Sequence, residues 1–208
     1  MAETENTIEP DQLAGAPHPR TTVALYGHEA AQKQFIDSLA SGRPAHGWMI
    51  AGPHGIGKAT LAWRIARFMI AGGRGTDLDM APDDPVFRRV AALSEPNVHL
   101  CRRSIDPRTN RLRSVIGVDE VRKINAHFRL SSADAGWRVA IVDAADDMTV
   151  AAANALLKIL EEPPPRAMLL LVCHQPSRLL PTLRSRCRRL QCRPLGEEDL
   201  LRALGDFD

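Results

Sequence analysis

No stretch of the 208 residues is apolar for long enough to cross a bilayer as a helix, and Met1–Pro19 is acidic and polar with no signal-peptide core. The sequence therefore points away from a membrane protein and a secreted one, and a cytoplasmic location is expected. Cysteine is scarce and unpaired in pattern: Cys101, Cys173, Cys187 and Cys192 form no C-x-x-C, so reduced thiols are expected rather than disulfides or a metal site. Charge of one sign is also missing. A formal net charge of +2 is too small to argue for a nucleic acid or a lipid surface through bulk electrostatics. There are no internal repeats or low-complexity tracts.

What remains is enough for one good-sized domain, with part of a second. Residues 1–20 show no periodic apolar face and read as a disordered leader, with order beginning near Val23. From there, helical and strand periods alternate. Helices are expected over Glu29–Leu39, from the glycine-rich turn to about Ala71, and over Pro85–Leu93, Val118–Leu130 and Thr149–Glu162. A short helix or turn is expected over Arg178–Ser185, and a last helix over Gly196–Leu204. Strands are expected at Trp48–Ala51, Val98–Cys101, Trp137–Asp143, Met168–Cys173 and Cys187–Cys192. Near-continuous apolar strands such as Met168–Cys173 suit a parallel sheet covered on both faces. The alternation predicts a five-stranded, doubly wound α/β domain over residues 21–194.

The chain is organised around Gly52-Pro53-His54-Gly55-Ile56-Gly57-Lys58-Ala59-Thr60, which joins the first strand to an amphipathic helix. Glycines let backbone N–H groups curl round phosphate oxygens, the helix N-terminus faces them, and Lys58 adds a point charge for the outer phosphates. The pattern G-x-x-x-x-G-K-[ST] holds from Gly52 to Lys58 and fails at Ala59, where a hydroxyl is expected to hold Mg²⁺. Thr60 lies about 100° further round the helix and does not replace it. The matching acid at the end of a strand is Asp143, followed by Ala144 and Ala145 where a water-orienting Glu is often found. Asp146 and Asp147 read as caps of the helix starting near Thr149. Losing the hydroxyl and the base should depress hydrolysis by orders of magnitude, since single catalytic groups contribute about 10²–10⁴-fold.

Two basic features stand apart. Arg102–Arg113 holds five arginines in an alternating pattern that suggests a hairpin. It reads either as a solvated loop or as a contact to DNA phosphates or an acidic partner. Arg186, in Leu183-Arg184-Ser185-Arg186-Cys187, enters the last strand, where an arginine can protrude past the domain edge or simply form a surface ion pair.

Asn154-Ala155-Leu156-Leu157-Lys158-Ile159-Leu160-Glu161-Glu162-Pro163-Pro164 together with the Ser185-Arg186-Cys187 triplet resembles the AAA+ subunits of replication clamp loaders, and the resemblance runs from about Leu25 to Leu204. Asp143-Ala144-Ala145 and Ala151-Ala152-Ala153-Asn154 resemble the delta-prime type of bacterial DNA polymerase III. This resemblance implies an AAA+ P-loop NTPase fold followed from residue 195 by the start of a helical lid, with the rest of the lid and a collar domain beyond this sequence. It implies that Arg186 is an arginine finger acting in trans. Gly52, His54, Gly55, Ile56, Gly57, Lys58, Ala59, Thr60 and Asp143 would form a degenerate nucleotide site that binds ATP or ADP weakly, without turnover. Tyr26-Gly27-His28 would border the adenine, and Cys173-His174 would stand where relatives carry a phosphate-sensing polar residue. The zinc module of many relatives has no counterpart, since residues 59–100 contain no cysteine, so no zinc is expected. Implied partners are gamma/tau-type motor subunits and a delta subunit, with the sliding clamp and primed DNA reached through the complex. Polymerase activity would belong to that assembly alone. A self-sufficient AAA+ ATPase or DNA motor, and an inert scaffold, stand as the competing classes.

Overall fold

The structure, a computed structural model, describes residues 9–12, 15–42, 44–129 and 136–205. Five parallel strands form the central sheet: β1 (Gly47–Ala51), β2 (Val98–Arg102), β5 (Arg138–Asp143), β6 (Ala167–Cys173) and β7 (Arg188–Gln191), in the order β2-β5-β6-β1-β7. A separate two-stranded hairpin, β3 (Ile105–Asp106) and β4 (Arg111–Leu112), leaves the end of β2. The helices are α1 (Glu29–Ala40), α2 (Lys58–Ile70), α3 (Pro85–Ala91), α4 (Val118–Arg129), α5 (Val150–Glu161), α6 (Pro181–Arg184) and α7 (Glu197–Gly205). The elements expected from periodicity are present. The end of the α4 expectation, Leu130, lies outside the described residues.

Strand alternation divides the core into two layers. Met168, Leu170 and Val172 of β6 face Leu61, Ile65 and Met69 of α2, while Leu169, Leu171 and Cys173 face Val121 and Ile124 of α4 and Leu156 of α5. Both β1 and β6 are buried along their whole length, which is why they carry no alternating polar residues. Local signals set the helix starts: Asp84 accepts from the Val86 N–H at 2.7 Å with Pro85 in the first turn, and Thr149 accepts from the Ala152 N–H at 3.2 Å. Thr149 therefore caps α5, and the capping role expected for Asp146 and Asp147 is not the one they have.

The leader also needs correction. Of residues 1–20, those at 1–8, 13 and 14 lie outside the described residues, but the others are fastened to the domain. Arg102 at the end of β2 bonds Glu9 at 2.6 Å and also pairs with Asp11, and Arg20 pairs with Glu9. His18 is buried, its Nδ1 accepting from the Arg20 N–H at 3.1 Å. Glu9, Asp11 and His18 are spaced like metal ligands, yet both carboxylates are neutralised by arginines, so the cluster reads as an ion-pair knot. The anchor lies on α2. Arg67, 1% exposed, donates to the carbonyls of Arg20 at 2.9 Å and Thr22 at 3.2 Å, and Arg64 bonds the Val23 carbonyl and Asp79. Composition indicated disorder because the partners that hold this segment lie more than forty residues away.

Candidate nucleotide site

In an open parallel sheet, ligands bind outside the carboxyl ends of the strands, and the loop after β1 lies there. It is tied down on three sides. The Gly52 N–H donates to the Cys173 carbonyl at 3.2 Å, the Cys192 N–H donates to the Ala51 carbonyl at 2.8 Å, and His28 Nε2 donates to the Ile56 carbonyl at 2.6 Å. Gly52 must be glycine, because a Cβ there would lie 2.4 Å from the Cys192 carbonyl oxygen. Gly55 and Gly57 adopt φ of +80° and +93°, the left-handed region that lets the loop turn its N–H groups inward and release α2. Lys58 is the first residue of α2. It is buried, and its ammonium donates back to the Pro53 carbonyl. Burial lowers its pKa, an effect opposed by Asp143 and Asp146.

Asp143 ends β5 on the same side of the sheet. Desolvation, reinforced by Asp11 and opposed by Lys58, pushes its pKa up to about 7. The acids that follow are engaged: Asp146 accepts from the His174 N–H at 2.9 Å and the Gln175 N–H at 3.3 Å, and Asp147 lies 3.5 Å from Arg103. Ala144 and Ala145 offer nothing to a water molecule. The loop glycines, the start of α2 and Lys58 are the groups a phosphate would need, and among the described residues both acids of the turn after Asp143 already have partners. His54 of the loop packs against His174, ring centroids 4.2 Å apart, and burial together with the Lys58 charge pushes His174 down to about 4. Asp146 and the histidine pair were not legible as a unit, since their residues come from three separate segments.

Beside the loop is a cavity of about 680 Å³ whose walls include Thr22, Tyr26, Gly57, Thr60 and Leu195. Thr60, turned away from the position of the missing hydroxyl, thus lines the adjoining cavity. A larger and more open groove of about 1000 Å³ shares Val23–Tyr26 but none of the loop glycines, so the smaller cavity is the one with phosphate-binding chemistry beside it. Arg186 is elsewhere, between α6 and β7. It is exposed, with Nη1 donating to the Thr182 carbonyl at 2.9 Å and Nη2 lying 2.7 Å from Glu161. The structure does not bring Arg186 together with the loop residues and Asp143 as one site.

A sequence model of the family described as DNA polymerase III, delta subunit, matches residues 27–196. The chain belongs to this family. Among curated relatives, DNA polymerase III subunit delta′ of Pseudomonas aeruginosa is 36% identical over 84% of this chain and 53% of its own length. Its counterpart from Escherichia coli K12 is 33% identical over 80% of this chain and 48% of its own length. The subunit gamma/tau of Mycobacterium tuberculosis is 32% identical over 81% of this chain and 28% of its own length. The chain therefore spans about half the length of the delta′ relatives it matches. A mutant form of RuvB from Thermotoga maritima, 17% identical, superposes with a TM-score of 0.53 over 90% of this chain and 56% of that one. That likeness confirms the fold alone: a P-loop NTPase domain of the AAA+ type. Within the described residues, no helix is long and apolar enough to cross a membrane.

Proposed function

We propose that this chain is the AAA+ module of a clamp-loader delta-prime subunit that does not hydrolyse ATP itself and completes the ATP site of a neighbouring motor subunit with Arg186. The observation that carries the proposal is an asymmetry. The chain's own site lacks a hydroxyl at Ala59 and a free acid after Asp143, because Asp146 and Asp147 are spent on other bonds. Arg186 meanwhile is exposed, and its two contacts occupy only part of a five-donor guanidinium. A finger of this kind contributes about 10³–10⁵ in rate at the site it completes.

On this reading, Gly52, His54, Gly55, Ile56, Gly57, Lys58, Ala59, Thr60 and Asp143 form a relic pocket that holds ATP or ADP weakly without turnover and requires neither a cofactor nor zinc. α7 begins the lid. The module works in the cytoplasm beside gamma/tau-type and delta subunits, and through them on the sliding clamp and primed DNA. The test uses the full-length subunit assembled with motor subunits. Arg186→Ala should lower DNA-dependent ATPase and clamp loading at least tenfold with the melting temperature unchanged, and Lys58→Ala should change them less than twofold. Unchanged ATPase in the Arg186 variant would remove the finger role, and a large loss with Lys58→Ala would mean that the local site matters to the assembly after all.

A further inference from the structure

The β3–β4 hairpin is built from its own residues and leaves its aliphatic side chains uncovered. Asp106 organises the turn by accepting from the Arg108 and Thr109 N–H groups at 2.8 and 3.3 Å. The Arg113 N–H closes the ladder on the Ser104 carbonyl at 2.9 Å. Yet Ile105 is 55% exposed, Leu112 43% and Val115 42%. Ile105 and Leu112 are directly opposed across the two strands, and directly opposed residues share a face, so this pair forms one apolar face. Asp106 and Arg111, the next pair, occupy the other face. Neither outer edge of this sheet is joined to another strand among the described residues.

The five arginines of the segment do not form one basic stripe. Arg102 is neutralised by Glu9 and Asp11, Arg103 pairs with Asp147, and Arg113 lies 3.6 Å from Asp106. Among the described residues only Arg108 and Arg111 of the five carry no ion pair. Two free cations beside an aliphatic pair make a poor phosphate track, because aliphatic side chains add nothing to phosphate binding. The same combination suits a protein strand. A strand added to an open edge gains main-chain hydrogen bonds, and its side chains alternate between the two faces. Along β4, residues on one face would meet Leu112 and Ile105, and those on the other would meet Arg111. Along β3, the second set would meet Asp106, which repels acids.

We propose that the open edge of β4 docks an extended segment of another protein in which apolar and acidic residues alternate, the apolar ones packing on Leu112 and Ile105 and the acidic ones pairing with Arg111 and Arg108.

The test titrates the full chain with three fluorescent probes: a ten-residue peptide of alternating Leu and Glu, its Ser-and-Glu counterpart, and a mixed-sequence DNA duplex. The Leu-Glu peptide should bind saturably. Affinity should fall at least tenfold in the Ile105→Ser, Leu112→Ser double variant, and likewise in the Arg108→Glu, Arg111→Glu double variant, with melting temperatures within about 2 °C of the parent. The Ser-Glu peptide should bind at least tenfold more weakly. No saturation by the Leu-Glu peptide up to about 1 mM would overturn the proposal. Equal binding of the two peptides would reduce the site to bare charge and overturn it as well. So would tighter binding of the duplex that is lost in the arginine variant, which would make the hairpin a nucleic-acid contact.

Discussion

Replacing Asp143 with asparagine should stabilise the domain at pH 8 and do almost nothing for it at pH 4. Asp143 ends β5 facing the loop, and its pKa is raised to about 7 by desolvation and by Asp11, with Lys58 only partly opposing them. An unfolded chain ionises the same carboxyl near pH 3.9. Between these values the folded state holds a proton that the unfolded state has lost. Stability contributed by the neutral acid is thus present below about pH 4 and is lost as pH rises through 7. Above both values, the difference of about three units corresponds to an upper bound of about 4 kcal/mol. Asp143 is not fully shielded from solvent, and asparagine would also deprive Lys58 of a countercharge, so about half of that, ~2 kcal/mol, is the expected gain at pH 8. At pH 5 the gain should shrink to under about 1 kcal/mol. For a chain of this size, ~2 kcal/mol moves the melting midpoint by about 4–8 °C. Paired thermal and urea melts of the parent and Asp143→Asn at pH 5 and pH 8 measure it. An equal gain at both pH values, or a loss at pH 8, would refute the reasoning that the strand-ending acid is held against its charge.

Other perturbations probe the supports of the site. Asp146→Ala removes the acceptor of two charge-assisted bonds from the His174 and Gln175 N–H groups and should cost about 2–4 kcal/mol in urea unfolding. Gly52→Ala would push a Cβ to 2.4 Å from the Cys192 carbonyl oxygen, so a loss of at least about 2 kcal/mol is expected; a neutral result would mean that the loop and β7 can part freely. Arg67→Ala strands the carbonyls of Arg20 and Thr22 and should speed hydrogen exchange and proteolysis around residues 20–23 before it affects the sheet. Uniform destabilisation without that local signature would show that Arg67 does not anchor the leader.

The sequence by itself determined what depends on near neighbours: the strand–loop–helix at Gly52–Thr60, the all-apolar β6, the hairpin at Arg102–Arg113, and the two alanines directly after Asp143. These follow from period, turn chemistry and residue identity within a few positions of one another. Tertiary structure alone decided what each polar group is paired with. Asp146 looked like a helix cap and instead secures the end of β6, because Thr149 is better placed to cap α5 and the nearest open N–H groups are those of His174 and Gln175, 28 and 29 residues along the chain. The five hairpin arginines looked alike, but Glu9, Asp11, Asp106 and Asp147 neutralise three of them. Arg64 and Arg67 are charged residues of α2 and are nonetheless buried, because residues 20–23 pack over them: Arg67 donates to the Arg20 and Thr22 carbonyls, and Arg64 to the Val23 carbonyl and Asp79. A charge's partner is chosen by distance in space, and no local pattern records which distant segment the fold will bring to it.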